Sequence, residues 1–329
     1  MAISLYAGLD VGGTTMKAAV VSDAGLPLSK PFVMDTNPEK GQEAGLATMA
    51  ETIRGAVKAA NLAMSDITAI GVATPGLMDI AAGLILDPPN LKPWKNVPVR
   101  DYIKKAFGKP TAFQNDANAA AYGEFWVGAG QEFGSMVLFT LGTGVGGGII
   151  IGDLILEGRH SHGGELGHLR IESPVHGRLC GCGHRGCLEA YASATSVVKR
   201  TREELASFRG PSTLKEFFTA NDDLLTSKVV FDHAAAGDEL ANKIVDDSAY
   251  FLALGCSAVM ATVDPEMIAI GGGMVAAGDR FLGKVRDYAS RFGLPHPAKG
   301  VTIRYAKLGS DAGFIGAAGC ARLGMQRAA

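Results

Sequence analysis

An α/β fold made of two related domains is predicted by three features of this sequence. Residues 4–10 form a strand-like apolar run that enters Val11-Gly12-Gly13-Thr14, and a second β-branched run follows over residues 16–21. Further along, residues 136–140 run into Leu141-Gly142-Thr143-Gly144, then Gly146-Gly147-Gly148 and the β run Ile149-Ile150-Ile151. Each is strand, Gly/Thr turn, strand, one in each half of the chain. The third feature is length: 329 residues exceed one small core and fit two domains of ordinary size.

The elements between the hairpins alternate as an α/β protein requires. Residues 45–62 carry apolar side chains at helical spacing, and residues 67–72 read as a short buried strand. Residues 111–115 read as another strand, ending at Asp116, and residues 117–127 as an Ala-rich helix with Asn118 in its first turn. The second half predicts a long helix over 241–262, a strand over 267–270, a turn at Gly271-Gly272-Gly273 and a closing helix from 314 to about 324. No low-complexity linker or charge block separates these parts, so a hinge is expected instead of a tether.

Composition narrows the partners. The chain is 47% apolar and 19% charged, the balance of a soluble globular protein. Its formal charge of -2 offers no broad basic surface, which argues against nucleic acid and membrane. The first residues carry no basic n-region, and the longest apolar stretch, residues 251–263, is too short to span a bilayer. The five cysteines are odd in number, with three inside eight positions, so a secreted disulfide framework is not expected. Cys256 and Cys320 read as small core residues and the compartment as reducing cytoplasm.

No G-x-x-x-x-G-K-[ST] loop is present, which excludes a Walker-type NTPase. Gly142-x-Gly144-x-x-Gly147 matches the dinucleotide fingerprint, with Glu165 near the distance of its ribose contact. That fingerprint needs a helix directly after the glycines, however, and three isoleucines follow here. The hairpin turns instead suit phosphate oxygens approached by backbone N–H groups and a Thr hydroxyl, although glycines also simply make tight turns. Asp10, ending a buried strand, needs a compensating partner, and Mg²⁺ or its water shell would supply one. Gly272 and Gly273 suit adenine or ribose packing on backbone. Asn115-Asp116 lies at a strand end before a helix, where open α/β sheets bind ligands. Asp116 fits the base that phosphoryl transfer requires, and it equally fits an N-cap.

Five motifs then stand in one order: Asp10-x-Gly-Gly-Thr, Asn115-Asp116-Ala-Asn118-Ala-Ala, Leu141-Gly-Thr-Gly-Val-Gly-Gly-Gly, Gly164-Glu165-Leu-Gly-His168 and Cys180-Gly-Cys182-Gly-His-Arg-Gly-Cys187-Leu-Glu189. Over essentially the whole chain they resemble the ROK family of the actin-like ATPase superfamily, and its glucokinases in particular. The resemblance implies a two-domain actin-like (ribonuclease H-like) ATPase fold with an active-site cleft between the domains. The small domain would comprise residues 1–118 and 312–329, the large one 119–311.

The implied reaction moves the γ-phosphoryl group of Mg-ATP to the 6-hydroxyl of a hexose, glucose before others, in a homo-oligomer (dimer or tetramer). Asp116 would be the base, and Asn90, Asn115, Glu165, His168 and Glu189 would hold sugar hydroxyls. Gly12, Gly13, Thr14, Thr15, Gly142, Thr143 and Gly144 would meet phosphates. Some relatives place Lys at position 15, which leaves open whether Lys17 supplies a cation there.

His168, Cys180, Cys182 and Cys187 suit a tetrahedral, structural Zn²⁺. The C-x-C-x₄-C spacing leaves His160, His162 and His184 as rival ligands, and the resemblance selects His168. Other readings are a kinase of another hexose or N-acetylhexosamine, a sugar-responsive repressor, and a non-catalytic sugar binder. Repressors of the family carry a helix-turn-helix before the first hairpin, which here begins at residue 4. A kinase assay separates the binder from the enzyme.

Overall fold

The computed structural model describes residues 4–328, so the outermost ends of the expected small domain lie outside the described residues. In chain order the elements are β1 (Leu5–Val11), β2 (Thr15–Ser22), β3 (Phe32–Asp35), α1 (Gln42–Ala59), β4 (Ala69–Thr74), β5 (Leu77–Asp79), β6 (Leu84–Asp87), α2 (Val99–Phe107), β7 (Thr111–Asn115) and α3 (Asp116–Val127). There follow β8 (Ser135–Leu141), β9 (Val145–Ile151), β10 (Leu154–Ile155), α4 (Glu189–Ala192), α5 (Ala194–Ser207), α6 (Thr213–Ala220), α7 (Ser227–Ala235) and α8 (Glu239–Thr262). The chain closes with β11 (Met267–Gly271), α9 (Gly278–Phe292), α10 (Pro295–Gly300), β12 (Thr302–Tyr305) and α11 (Ala312–Ala328).

Two five-stranded sheets share one design. The first has the order β3-β2-β1-β4-β7, the second β10-β9-β8-β11-β12. In the first, β1 runs antiparallel to β2 and parallel to β4, which runs parallel to β7. In the second, β11 runs parallel to both β8 and β12. This doubled sheet bears out the two related α/β domains expected from the paired hairpins and has the form that the family resemblance implies.

The chain divides into two compact units. One comprises Met1–Ser135, Gly148–Gly164 and Lys307–Ala329; the other comprises Met136–Gly147 and Glu165–Ala306. Helix α3 belongs with the first because α11 packs along it.

In the first unit the strand period of two assigns residues to faces. Ala7, Leu9 and Val11 of β1, with Ile70 and Val72 of β4, join the core that α1 and α2 cover, where Trp94 is buried. Tyr6 and Ala69 face Phe314 and Ala318 of α11 instead. This second face is lined by backbone. A Cβ added to Gly8 would lie 1.9 Å from the carbonyl oxygen of Phe314, and one on Gly71 would lie 1.7 Å from that of Ala317. A Cβ on Gly316 of α11 would in turn stand 1.7 Å from the carbonyl oxygen of Ala119 in α3.

Glu124 of α3 is fully buried, yet its carboxylate accepts backbone N–H groups from Ala129 (2.8 Å), Lys307 (3.0 Å) and Leu308 (2.6 Å). It anchors the approach to α11 without burying an unpaired charge.

In the second unit α8 is long and apolar enough to cross a membrane, but over half of that span is buried within the fold. Leu240, Ile244, Leu252 and Cys256 are wholly buried, as a core helix requires. Its N-cap, Asp238, accepts the N–H groups of Ala241 (2.8 Å) and Leu214 (3.1 Å), which ties α6 to α8. Cys256 and Cys320 are core residues as expected, and burial pushes both thiols up to about 12.

The backbone seat of α11 gives the first prediction. Gly71→Ala forces a methyl group into a carbonyl oxygen and should cost about 3 kcal/mol, lowering the melting temperature by several degrees. Gly142→Ala meets open space and should melt like wild type. Scanning calorimetry compares the two, and a Gly71→Ala protein that melts within about 1 °C of wild type removes the tight seat.

Candidate active site

The first unit gathers one set of the predicted residues around the ends of β1 and β7. Asp10 lies opposite Lys17 in the β1–β2 ladder. The turn joining those strands is closed by the Gly12 N–H on the Thr15 carbonyl oxygen (2.8 Å). It is braced from outside by Thr36, whose hydroxyl donates to the Gly12 carbonyl oxygen (2.8 Å) and whose N–H donates to that of Thr14 (2.8 Å). Thr14 is exposed at the tip, and Thr15 starts β2 against Asp35.

Asn90 also lies here. A Cβ on Gly13 would stand 3.3 Å from the Asn90 carbonyl oxygen. The segment is held by the buried Trp94, whose indole N–H donates to the Pro38 carbonyl oxygen (3.1 Å). Its ring fills the space a side chain at Gly45 would need.

At the end of β7 the structure shows which side chains meet the start of α3. Asn115 is the N-cap of α3, its side-chain oxygen accepting the N–H groups of Ala117 (2.9 Å) and Asn118 (3.1 Å). Asp116 is the first helical residue, its Oδ1 accepting the Ala117 N–H at 2.8 Å. The helix start is therefore satisfied by Asn115, and the Asp116 carboxylate is not needed as the cap. Behind this corner Gln114 donates to Glu157 (2.8 Å) and accepts the Asn115 N–H (2.8 Å), a support that sequence reasoning missed.

Asp10 and Asp116 feel each other's charge. Burial first, then the Asp116 carboxylate, raise Asp10 from its ordinary value to about 7, against the pull of Lys17. A Cβ on Gly313, at the start of α11, would fall 2.3 Å from the Asp10 Oδ2, so the helix also closes over this carboxylate. Two carboxylates held together in this way suit a divalent cation between them and a phosphate, which would relieve the repulsion.

The second unit gathers the other set around the turn between β8 and β9. Gly142 donates its N–H to the Gly144 carbonyl oxygen (3.0 Å), and Thr143 is exposed at the tip. Gly272, with a positive φ of 85°, lies against Leu141, whose carbonyl oxygen a Cβ there would approach to 2.4 Å. Gly273 beside it opens on free space.

The turn holding Glu165 and His168 packs on the start of β9, since a Cβ on Gly167 would stand 2.0 Å from the Val145 carbonyl oxygen. Both side chains are exposed. Glu189 begins α4 and directs Oε2 to the Val145 N–H at 3.0 Å.

Beside them, the ligand atoms of His168, Cys180, Cys182 and Cys187 all lie within 4.8 Å of one another. Cys182 and Cys187 sulfurs are 3.7 Å apart, and Cys180 Sγ is 3.9 Å from His168 Nδ1. Ligands about 2.3 Å from a tetrahedral zinc stand about 3.8 Å from each other, so this cluster can bind a metal ion of that kind. Burial pushes the Cys180 thiol up to about 12. At Cys182 burial is outweighed by hydrogen bonds from the His184 backbone and ring, which bring it down to about 6. Of the rival ligands, His184 stands 3.8 Å from Cys182 alone, while His160 and His162 belong to the first unit.

A doubled sheet with a glycine turn in each half is the architecture of the actin-like α/β proteins. Comparison with known proteins makes the class specific. The pattern of the ROK family matches residues 6–323, and the chain belongs to that family. A glucokinase of Halalkalibacterium halodurans is 36% identical over 311 residues, covering 94% of this chain and 93% of its own. The ROK hexokinase of Thermus thermophilus superposes with a TM-score of 0.82 at 31% identity, over 98% of this chain and 99% of that one. A ROK glucokinase of Streptomyces griseus, solved with glucose and AMPPNP, gives 0.77 at 32% identity, over 97% and 99%.

The Asp10 environment generates the second prediction. Its proton is held more tightly folded than unfolded, so its contribution to stability is complete below about pH 4 and lost as pH rises to about 7. Asp10→Asn should therefore abolish that decline and exceed wild type by about 2–4 kcal/mol at pH 8. Urea melts of metal-free protein at pH 4 and pH 8 measure it, and parallel pH profiles for the two proteins contradict it.

Proposed function

We propose that this chain is a glucokinase that transfers the γ-phosphoryl group of Mg-ATP to the 6-hydroxyl of glucose. The observation that carries the assignment of roles is the arrangement at the end of β7: Asn115 caps the helix, and Asp116 is near enough for its charge to raise Asp10. In the proposed reaction the Asp116 carboxylate accepts the proton of the sugar hydroxyl as its oxygen attacks the γ-phosphorus. The bond from that phosphorus to the bridging oxygen breaks, and ADP leaves. Asn115 Nδ2, with Asn90, Glu165, His168 and Glu189, is proposed to hold the remaining sugar hydroxyls.

The two glycine turns are proposed to offer backbone N–H groups to the nucleotide phosphates, with Gly272 and Gly273 against its base or ribose. Mg²⁺ would neutralise phosphate charge, with Asp10 beside its water shell and Lys17 as the nearest basic side chain in the β1–β2 ladder. Zinc held by His168, Cys180, Cys182 and Cys187 would be structural, since four protein ligands close its shell. His168 Nδ1 faces the sulfurs, which leaves Nε2 for a sugar hydroxyl.

Asp116→Asn preserves shape and removes the base, so kcat should fall by about 10²–10⁴ while sugar still binds. In the same coupled assay glucose should exceed N-acetylglucosamine and N-acetylmannosamine clearly in kcat/KM, because unpaired carboxylates penalise the wrong ligand. An Asp116→Asn enzyme within about tenfold of wild type moves the base elsewhere, and an N-acetylated sugar as best substrate removes the glucose reading.

For the metal, purified protein should hold about one zinc per chain, and Cys182→Ser should lose it together with thermal stability. Elemental analysis and melting curves decide; an equally stable zinc-free protein would show that the cluster needs no ion.

A further inference from the structure

The carboxylate of Glu189 is engaged with the β8–β9 turn. Its Oε2 accepts the N–H of Val145, the residue directly after Gly144, at 3.0 Å. A Cβ on Gly144 would lie 2.3 Å from that same oxygen, whereas one on Gly142 would meet nothing within 4 Å. The two glycines of the turn thus answer different needs. Gly142 leaves its side of the turn open, and Gly144 makes room for Glu189.

The segment that begins at Glu189 grips the turn a second time. The Ala194 N–H, at the start of α5, donates to the Gly142 carbonyl oxygen at 2.9 Å. Between these two grips the segment is cross-braced. The Ser196 hydroxyl donates to the Glu189 carbonyl oxygen (2.7 Å), and Ser193 Oγ accepts the Ser196 N–H (3.1 Å). A stiff strap therefore holds both ends of the Gly142-Thr143-Gly144 turn, with Glu189 as its one charged contact.

We infer that Glu189 is a positioning residue for the phosphate donor: it fixes the turn whose backbone N–H groups receive nucleotide phosphates, in addition to any contact with sugar. This rests on the kinase reading. A glycine-rich turn left to itself samples many conformations, and ordering it before the nucleotide arrives removes that cost from binding. Repulsion between the carboxylate and the phosphates acts in the opposite direction, so the two effects are separable by removing the charge while keeping the acceptor.

The test is the affinity for Mg-ADP, measured by calorimetry without sugar. Glu189→Ala should bind about ten- to a hundredfold more weakly than wild type, the scale of a lost hydrogen bond to a charged acceptor. Glu189→Gln keeps an oxygen for the Val145 N–H and should bind nucleotide at least as well as wild type, yet show a raised KM for sugar. Gly144→Ala should mimic Glu189→Ala by displacing the carboxylate. In the double variant the second change should add little, because both act through one contact.

A residue that touched only sugar would leave Mg-ADP affinity unchanged in Glu189→Ala and Glu189→Gln. That result, or additive losses in the double variant, overturns the inference while the kinase reading stands. Should Glu189→Ala fail to fold, wild-type affinity in Gly144→Ala overturns it alone. A wild-type protein that binds no Mg-ADP removes the kinase reading and this inference together.

Discussion

The close approach of α11 to the first sheet is the constraint on which the candidate residues of the first unit depend. At Gly8, Gly71 and Gly316 main chain meets main chain with no room for a single methyl group. A helix seated on backbone has little freedom to slide or rotate, because no flexible side chain lies between to absorb the shift. The same helix covers Asp10 through Gly313 and meets α3 through Gly316, so the ends of β1 and β7 are fixed relative to one another. The proximity of Asp10 to Asp116 follows from that packing, and Glu124 secures the chain leading into the helix.

Electrostatics act strongly on one of two carboxylates that look alike in sequence. Asp10 is pressed by burial and by its neighbour toward the protonated form, with Lys17 as partial compensation. Asp116 stands at the first turn of α3, where the helix dipole favours negative charge. Because Asn115 accepts two N–H groups of the helix N-terminus, the base role proposed for Asp116 does not require Asp116 to be the cap as well.

The candidate residues of the second unit are organised differently. Around the Cys/His cluster the apolar packing is modest, with Cys180, Cys187, Ala190 and Tyr191 as its buried members. The segment between Gly177 and Gly186 contains positions with positive φ at Gly183 and Gly186 and little regular structure. Such a loop gains little from burial to offset its conformational entropy, and a metal ion held by the four-ligand cluster would compensate for that. Glu189 follows this loop at the start of α4 and reaches the turn between β8 and β9. Order in the loop and order in the turn are thereby linked.

Strand, turn and helix signals were legible in the sequence because they are local. The paired hairpins, the Ala-rich α3 and the apolar α8 follow from side-chain periodicity, and the doubled sheet follows from their order. The chemical types at the site were legible too: a carboxylate at a strand end, glycines at the turns, three cysteines near a histidine.

What only the tertiary structure decided were the partners. Nothing local distinguishes Asn115 from Asp116 as the cap, or Gly144 from Gly142 in purpose, since both differences arise from contacts with distant or space-filling groups. Glu124 carries no motif, and its role exists only because Lys307 and Leu308 arrive beside it. Sequence states what each side chain can do, and burial and approach distance select which of those capacities is used.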